Sequence, residues 1–378
     1  MRLAYVTTYP LADRRQFSGL GQAISQALAR QDIALDVIDS LADPFAPWFK
    51  VKQAVYRAFG RRHLREREPF VLRAHARQIA RRLNDSACDA VFSPGTLPLA
   101  ALDCDRPLVF WADATFAGMR DFYPEFSRLS DASLRHGHQA EQAALTRCRL
   151  ALYASDWAAR SALAHYQVDP AKVHVVPFGA NLQLQPAEDD VRAAIDARPR
   201  DVCRLLFLGV DWARKGGDAA VAVATALNRR GLRAELTVAG CLPPPSQPAF
   251  VRALGFVRNT SPVEAARFSE LLAESHFLIL PSRAECFGLV FCEASAFGVP
   301  SLATNVGGIP SAVRDGVNGQ TFAPDAPAEA YADFIETLWR APTRYRDLAS
   351  SAFHEYQTRL NWDVAGRSAK QLIEEYLP

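Results

Sequence analysis

Two glutamates, Glu285 and Glu293, stand with seven residues between them. A carboxylate can accept two hydroxyl hydrogen bonds, which is what the vicinal hydroxyls of a sugar or a ribose offer. Between the two lie Phe287, Gly288 and Leu289. Gly288 marks a tight turn, and the helix after it opens with backbone N–H groups that can hold an anion such as a phosphate. A nucleotide sugar carries both parts. Two solvated glutamates in an ordinary strand–loop–helix unit would leave the same pattern, since two residues alone are a weak signal.

The elements that must position this pair are readable in the flanking residues. The apolar run 276–280 (HFLIL) reads as a buried strand, stopped by Pro281. Residues 289–297 read as a helix ended by Gly298 and Pro300. Glu285 then lies at the carboxyl end of a strand, the edge at which open parallel sheets bind ligands. A second unit of this kind precedes it: strand 204–209, a loop carrying Arg214 and Lys215, and helix 218–230. Lys215 is a cation suited to a departing diphosphate, whose charge must be neutralised; a solvated Arg214–Lys215 pair is the plainer alternative. Strands 234–240 and 251–257 follow, the latter ending at Val257. Strand 299–304 and helices over 325–340, 344–356 and 362–377 complete this half.

The amino-terminal half opens in the same way. Strand 3–8, a loop ending Ser18-Gly19-Leu20-Gly21, helix 22–30 and strand 34–38 make a Rossmann-like beginning. Gly19 and Gly21 let the backbone approach an anion at the helix start, or merely form a tight turn. Further strands read over 89–92, 107–111, 151–155 and 173–179, with a helix over 157–166. Asp113 follows the strand 107–111, placed to bind a donor or acceptor hydroxyl or to cap a turn. The polar segment 120–146 holds Tyr123, Glu125, Arg128, Arg135, His136 and His138 and can line an acceptor; neither histidine is taken as catalytic. Asp103-Cys104-Asp105 lies before a strand, at the wrong end for a ligand. It reads as a solvated turn, and no required metal is expected.

The residues around Glu285 and Glu293 resemble the signature of retaining glycosyltransferases of family 4 (glycosyl transferases group 1), which have the GT-B fold. The resemblance runs through Pro281-Ser282, Phe287-Gly288, Gly298-Val299-Pro300, Thr304-Asn305-Val306-Gly307-Gly308-Ile309-Pro310 and Asp315-Gly316-Val317-Asn318-Gly319. It implies that Glu285 contacts the transferred sugar and that Glu293 holds the ribose. It implies that Lys215, six residues past Gly209, faces the donor phosphates. The family's Arg directly after that glycine is Val210 here, which leaves Arg214 as the candidate replacement. Gly19 and Gly21 correspond to the loop under the donor diphosphate, and Val257 to the strand end that meets the base. The family's His-Asp pair is Ala112-Asp113, with the histidine absent and the aspartate kept. The resemblance also implies reaction on one face of the sugar with the leaving phosphate as base, with no covalent nucleophile.

Composition sets the outer bounds. A chain of 378 residues exceeds the usual size of one core, so two domains are expected. A net charge of +2 argues against a chain built as a whole for nucleic acid. The seven cysteines are scattered without a C-x-x-C pair, which reads as reduced thiols rather than disulfides or a zinc site. No run approaches the ~20 apolar residues of a spanning helix, and the chain starts directly on a strand, so no signal peptide is expected. Residues 50–82 carry eleven Lys or Arg against Glu66 and Glu68, interleaved with apolar side chains. Such a stretch can rest on an anionic membrane surface, or it is a solvated helix face packed on its domain.

The expectation is an α/β protein of two Rossmann-like domains facing across a cleft. Residues 1–182 would bind the acceptor, 183–200 would be a linker, 201–358 would bind the nucleotide sugar, and 359–378 would cross back as a helix. The expected activity is retaining, metal-independent and cofactor-free transfer of a hexosyl unit from a UDP- or GDP-linked sugar to a glycan, lipid-linked or small-molecule acceptor. The expected place is the cytoplasm or the inner face of a membrane, in cell-envelope polysaccharide or glycoconjugate synthesis. The alternatives are a nucleotide-sugar epimerase or phosphorylase of the same fold, a non-catalytic nucleotide-sugar-binding subunit, and a basic membrane-surface adaptor.

Overall fold

The computed structural model describes residues 1–13, 19–43, 46–257 and 261–377. Ser18, read above as part of the glycine loop, lies outside them. The chain divides into two compact units: Met1–Pro177 with Trp362–Pro378, and Phe178–Asn361. Each is built on a six-stranded sheet, and every strand pairing is parallel.

The first sheet contains β1 (Arg2–Val6), β2 (Ala34–Ile38), β3 (Ala90–Ser93), β4 (Leu108–Ala112), β5 (Leu150–Tyr153) and β6 (Val173–Val175), in the order β2-β1-β3-β4-β5-β6. The strands β3, β4 and β5 are buried at every position. A parallel sheet covered on both faces requires such unbroken apolar runs, which is why LVFWA and LALY read as strands without alternation. The register sets Tyr5 of β1 beside Val37 and Phe92, and the Tyr5 and Phe92 rings stack at 5.7 Å. The last helix, Trp362–Tyr376, lies against Leu20–Ala29 in this unit. Gly366 permits the close approach: a Cβ there would sit 2.6 Å from the Ala27 carbonyl oxygen.

The second sheet contains β7 (Cys203–Leu208), β8 (Ala234–Ala239), β9 (Val251–Gly255), β10 (Phe277–Leu280), β11 (Ser301–Thr304) and β12 (Gly319–Phe322), in the order β12-β11-β10-β7-β8-β9. The segment 183–200, expected as a linker, is instead part of this unit. It forms the helix Glu188–Ala197, whose Val191 and Ile195 are buried. The buried Arg198 guanidinium then donates to the carbonyls of Phe297 and Gly298, each at 2.8 Å. The first unit accordingly ends at Pro177 rather than at residue 182.

Several element bounds also differ from expectation for local reasons. The strand expected over 173–179 stops at Val175, since Pro177 has no N–H to continue a ladder. The strand expected over 251–257 stops at Gly255, which adopts φ +68°. The polar segment 120–146 becomes largely the helix Asp131–Arg147, capped by the Ser130 side chain. The basic stretch folds as the helices Ala46–Ala58 and Pro69–Leu83. Asp103 and Asp105 are exposed ahead of β4, as a solvated turn would be. No helix among the described residues is long and apolar enough to cross a membrane.

Candidate functional site

In the second sheet the chain runs outward from β7 through β8 to β9, and the other way from β10 through β11 to β12. The loops leaving β7 and β10 therefore part at the carboxyl edge and open a crevice there. Topology alone brings residues 209–216 and 281–288 to the same place.

Backbone contacts draw the two loops together. Gly216 has φ +79°, and a Cβ on it would lie 2.0 Å from the Pro281 carbonyl oxygen. The Arg283 N–H donates to the Arg214 carbonyl at 2.7 Å. The short helix Trp212–Lys215 is capped by Asp211, whose carboxylate accepts from the Arg214 N–H at 3.0 Å. This helix turns Lys215 inward, leaving it 8% exposed, and its ammonium donates to the Glu285 carboxylate. Arg214 stands on the same carboxylate, with Nη1 at 3.6 Å from Oε2. It also donates to the Ala284 carbonyl at 3.0 Å. One buried carboxylate thus faces two cations, and the Asp211 carboxylate, 3.8 Å from Arg214 Nε, balances the remaining charge. Val210, by contrast, is exposed.

The helix Leu289–Ala296 begins beside this cluster. Gly288 starts it with φ +90°, and a Cβ there would lie 2.5 Å from the Phe291 ring. No side chain among the described residues caps its N-terminus, which leaves its first amides available to an anion. Phe287 is buried and meets Phe178 edge-on at 5.5 Å, while Leu289 is partly exposed. Glu293, one turn into the helix, accepts from the Asn181 backbone N–H. Crowding by protein atoms pushes its carboxyl up to about 7, against opposing pulls from that hydrogen bond and from Lys215. The Ser282 hydroxyl is buried between β10 and Glu285 with no hydrogen-bond partner among the described residues. Sequence reading used Ser282 only as part of a motif and passed over Asn181 altogether. Val257 is not drawn into this cluster: it lies past the end of β9, two strands away from β7.

The first unit places its own candidates at the carboxyl edge of its sheet, where the strand order changes direction between β1 and β3. Gly19 adopts φ +73° at the start of Leu20–Ala29. The Gly21 carbonyl accepts from the Tyr5 hydroxyl at 2.6 Å, and a Cβ on Gly21 would lie 2.6 Å from the Tyr9 hydroxyl oxygen. Asp113 follows β4, and its charge reaches Tyr9. Burial first, and Asp113 second, push the Tyr9 hydroxyl up to about 12. Tyr9 follows the expected strand 3–8 and carries no motif in the sequence. Its hydroxyl is buried without a hydrogen-bond partner among the described residues, and nothing but tertiary position reveals it. The same unit holds a cavity of about 300 Å³ lined by Thr8, Asp43, Gln53, Arg65 and His75, among others. His75 is buried there, and neither of its ring nitrogens has a partner among the described residues. Of the two histidines named in the polar segment 120–146, His138 bonds the Tyr166 hydroxyl at 3.2 Å and His136 lies 3.4 Å from Glu68.

Comparison with known proteins bears on the family and the fold. The family model described as Glycosyltransferase Family 4 matches residues 22–184, and the one described as Glycosyl transferases group 1 matches residues 203–341. The chain is 38% identical over 193 residues to a D-inositol 3-phosphate glycosyltransferase of Streptomyces scabiei, covering 46% of this chain and 43% of that protein. It is 33% identical over 226 residues to the protein of that name from Actinosynnema mirum, covering 56% and 53%. The chain thus spans about half the length of the curated relatives it matches. Among solved structures, sucrose-phosphate synthase from Thermosynechococcus elongatus aligns with TM-score 0.70 and 16% identity, covering 99% of this chain and 98% of that one. Anabaena HepE in complex with UDP and glucose aligns with TM-score 0.64 and 15% identity, covering 99% of each. At such identities the structural likeness is one of fold. The two matched segments, the paired parallel sheets and the Glu285 motif together make this chain a member of the family 4 (group 1) glycosyltransferases, with the GT-B fold.

Proposed function

We propose that the chain transfers a hexosyl unit, with retention of configuration and without a metal, from a UDP- or GDP-linked sugar to a glycan, lipid-linked or small-molecule acceptor. The observation that carries this reading is the Lys215–Glu285–Arg214 cluster at the strand-order reversal of the second unit. The leaving diphosphate gains charge as the glycosidic bond breaks. Lys215, Arg214 and the amides opening Leu289–Ala296 would stabilise it where it develops. Glu285, oriented by the two cations, would accept hydrogen bonds from sugar hydroxyls, and Glu293 from the ribose. Val257 would lie toward the base, and Gly19, Gly21 and Asp113 would serve the ligand from the first unit. That Anabaena HepE is recorded with UDP and glucose supports a nucleotide sugar as donor. In this reading the protein works in the cytoplasm or at the inner face of a membrane, touching it through residues 50–82, in cell-envelope polysaccharide or glycoconjugate synthesis.

The test is calorimetric titration of UDP- and GDP-sugars into wild type, Lys215→Ala and Glu293→Ala, followed by turnover assays with and without EDTA. Wild type should bind one donor class, each variant should weaken binding at least about tenfold, and turnover should survive the chelator. Equal affinity in all three proteins removes the site. Donor consumption with no acceptor present points to an epimerase or phosphorylase. Donor binding without turnover on any acceptor tried points to a non-catalytic subunit, for which the Ala112 and Val210 departures would be the cause.

A further inference from the structure

The helix Ala46–Ala58 is turned the opposite way from an ordinary packed helix. Its inward face is largely polar. Lys52 pairs with Glu68, the Gln53 amide donates to the His63 carbonyl at 3.3 Å, and Tyr56 stacks on His63 at 5.0 Å. Phe49 is the buried apolar side chain on that side. The outward face is apolar. Trp48, Val51 and Val55, with Phe59 just past the helix end, are 66%, 59%, 52% and 78% exposed. With Ala54 and Ala58 they cover an arc of roughly 140° at 100° per residue. A helix that meets only water does not present such a face.

Charge identifies what covers it. Residues 46–65 contain six Lys or Arg and no Asp or Glu. Lys50, Arg57, Arg61 and Arg62 are exposed, and Lys50 and Arg57 border the apolar arc. We propose that this helix seats the protein on a bilayer surface rich in anionic lipid. Its axis lies in the membrane plane, the four apolar side chains enter among the acyl chains, and the basic residues lie on the headgroups. A second copy of the chain is a poor partner, because pairing two such faces would crowd cations with no acid to neutralise them. A nucleic acid would meet the charge and leave the apolar arc in water. The inference sharpens the membrane contact in the reading above. It rests on the helix alone, and vesicle binding needs no nucleotide, so either reading can fail without the other.

The experiment is co-sedimentation of the full chain with vesicles of phosphatidylcholine, alone or mixed equally with phosphatidylglycerol. Wild type should pellet with the anionic vesicles and release partly with added salt. The Lys50→Gln, Arg57→Gln, Arg61→Gln variant should bind more weakly by about fivefold per residue changed. The Trp48→Ser, Val51→Ser, Val55→Ser, Phe59→Ser variant should stay in the supernatant. All of these positions are exposed, and circular dichroism would confirm that both variants fold. Wild type that ignores anionic vesicles at low salt overturns the proposal, as does equal binding by the serine variant. Self-association of wild type that the serine variant abolishes, with no vesicle binding, assigns the face to a second copy.

Discussion

Glu293 is a carboxyl that burial lifts from an ordinary value of 4.5 to about 7. Between those values the folded protein holds a proton that the unfolded chain has lost. The slope of stability with pH is therefore negative there: the contribution is whole below about 4.5 and gone above about 7. Glu293→Gln cannot ionise, so its thermal midpoint relative to wild type should rise from pH 5 to pH 8; a pH-independent difference would place the carboxyl in the ordinary range. In the proposed reading, ribose hydroxyls favour the ionised form, so donor affinity should fall as pH drops below about 7 and binding should release protons. The chemistry of this residue was legible because its type and spacing announce it. Its shifted acidity was not, since that depends on packing around the helix and on Asn181, over a hundred positions away. Tyr9 is the same case in the first unit: its aromatic type fits any strand end, and only burial beside Asp113 and Gly21 sets it apart.

The loops leaving β7 and β10 act as one element because Lys215 and Glu285 are paired across them. Each side chain is about nine-tenths buried, so losing one partner strands the other where water cannot replace it. Lys215→Met and Glu285→Gln should each destabilise the second unit, and the double variant should cost less than the sum, by about 1–3 kcal/mol of coupling. Urea unfolding of the four proteins measures this, and additive losses would show that the pair carries no stability. At this scale the strands β4, β5 and β10 were the most legible feature, being unbroken apolar runs. The short β12 (GQTF) and the helix Pro262–Ala273 were passed over. The helix has a readable start, Ser261 and Glu264 in a capping box with Pro262 at the first turn. β12 has none, being four residues held by pairing with β11 rather than by its own pattern. The expected linker failed for a related reason, because a polar surface face on Glu188–Ala197 hides the buried Val191, Ile195 and Arg198.

The two units differ in how the chain makes them. The second is one continuous segment, Phe178–Asn361, whereas the first needs both ends of the chain. Residues 362–376 supply the first unit with buried Trp362, Ala365, Gly366, Ala369 and Ile373. Trp362 meets Trp111 edge-on at 6.0 Å, and Asp363 pairs with Arg30 at 2.6 Å. That ion pair is largely exposed and adds little; the apolar contacts carry the attachment. Losing two large buried side chains costs about 2–5 kcal/mol each, against a whole-domain stability of about 5–15 kcal/mol. A chain ended at Asn361 should therefore lose the cooperative transition of its first unit, or show it at much lower denaturant, while the second unit unfolds as in wild type. Calorimetric scanning separates the two transitions, and the segment 178–361 expressed alone should reproduce the second. Should the truncated chain keep both transitions unchanged, the helix Trp362–Tyr376 would be an appendage rather than a piece of the first unit's core.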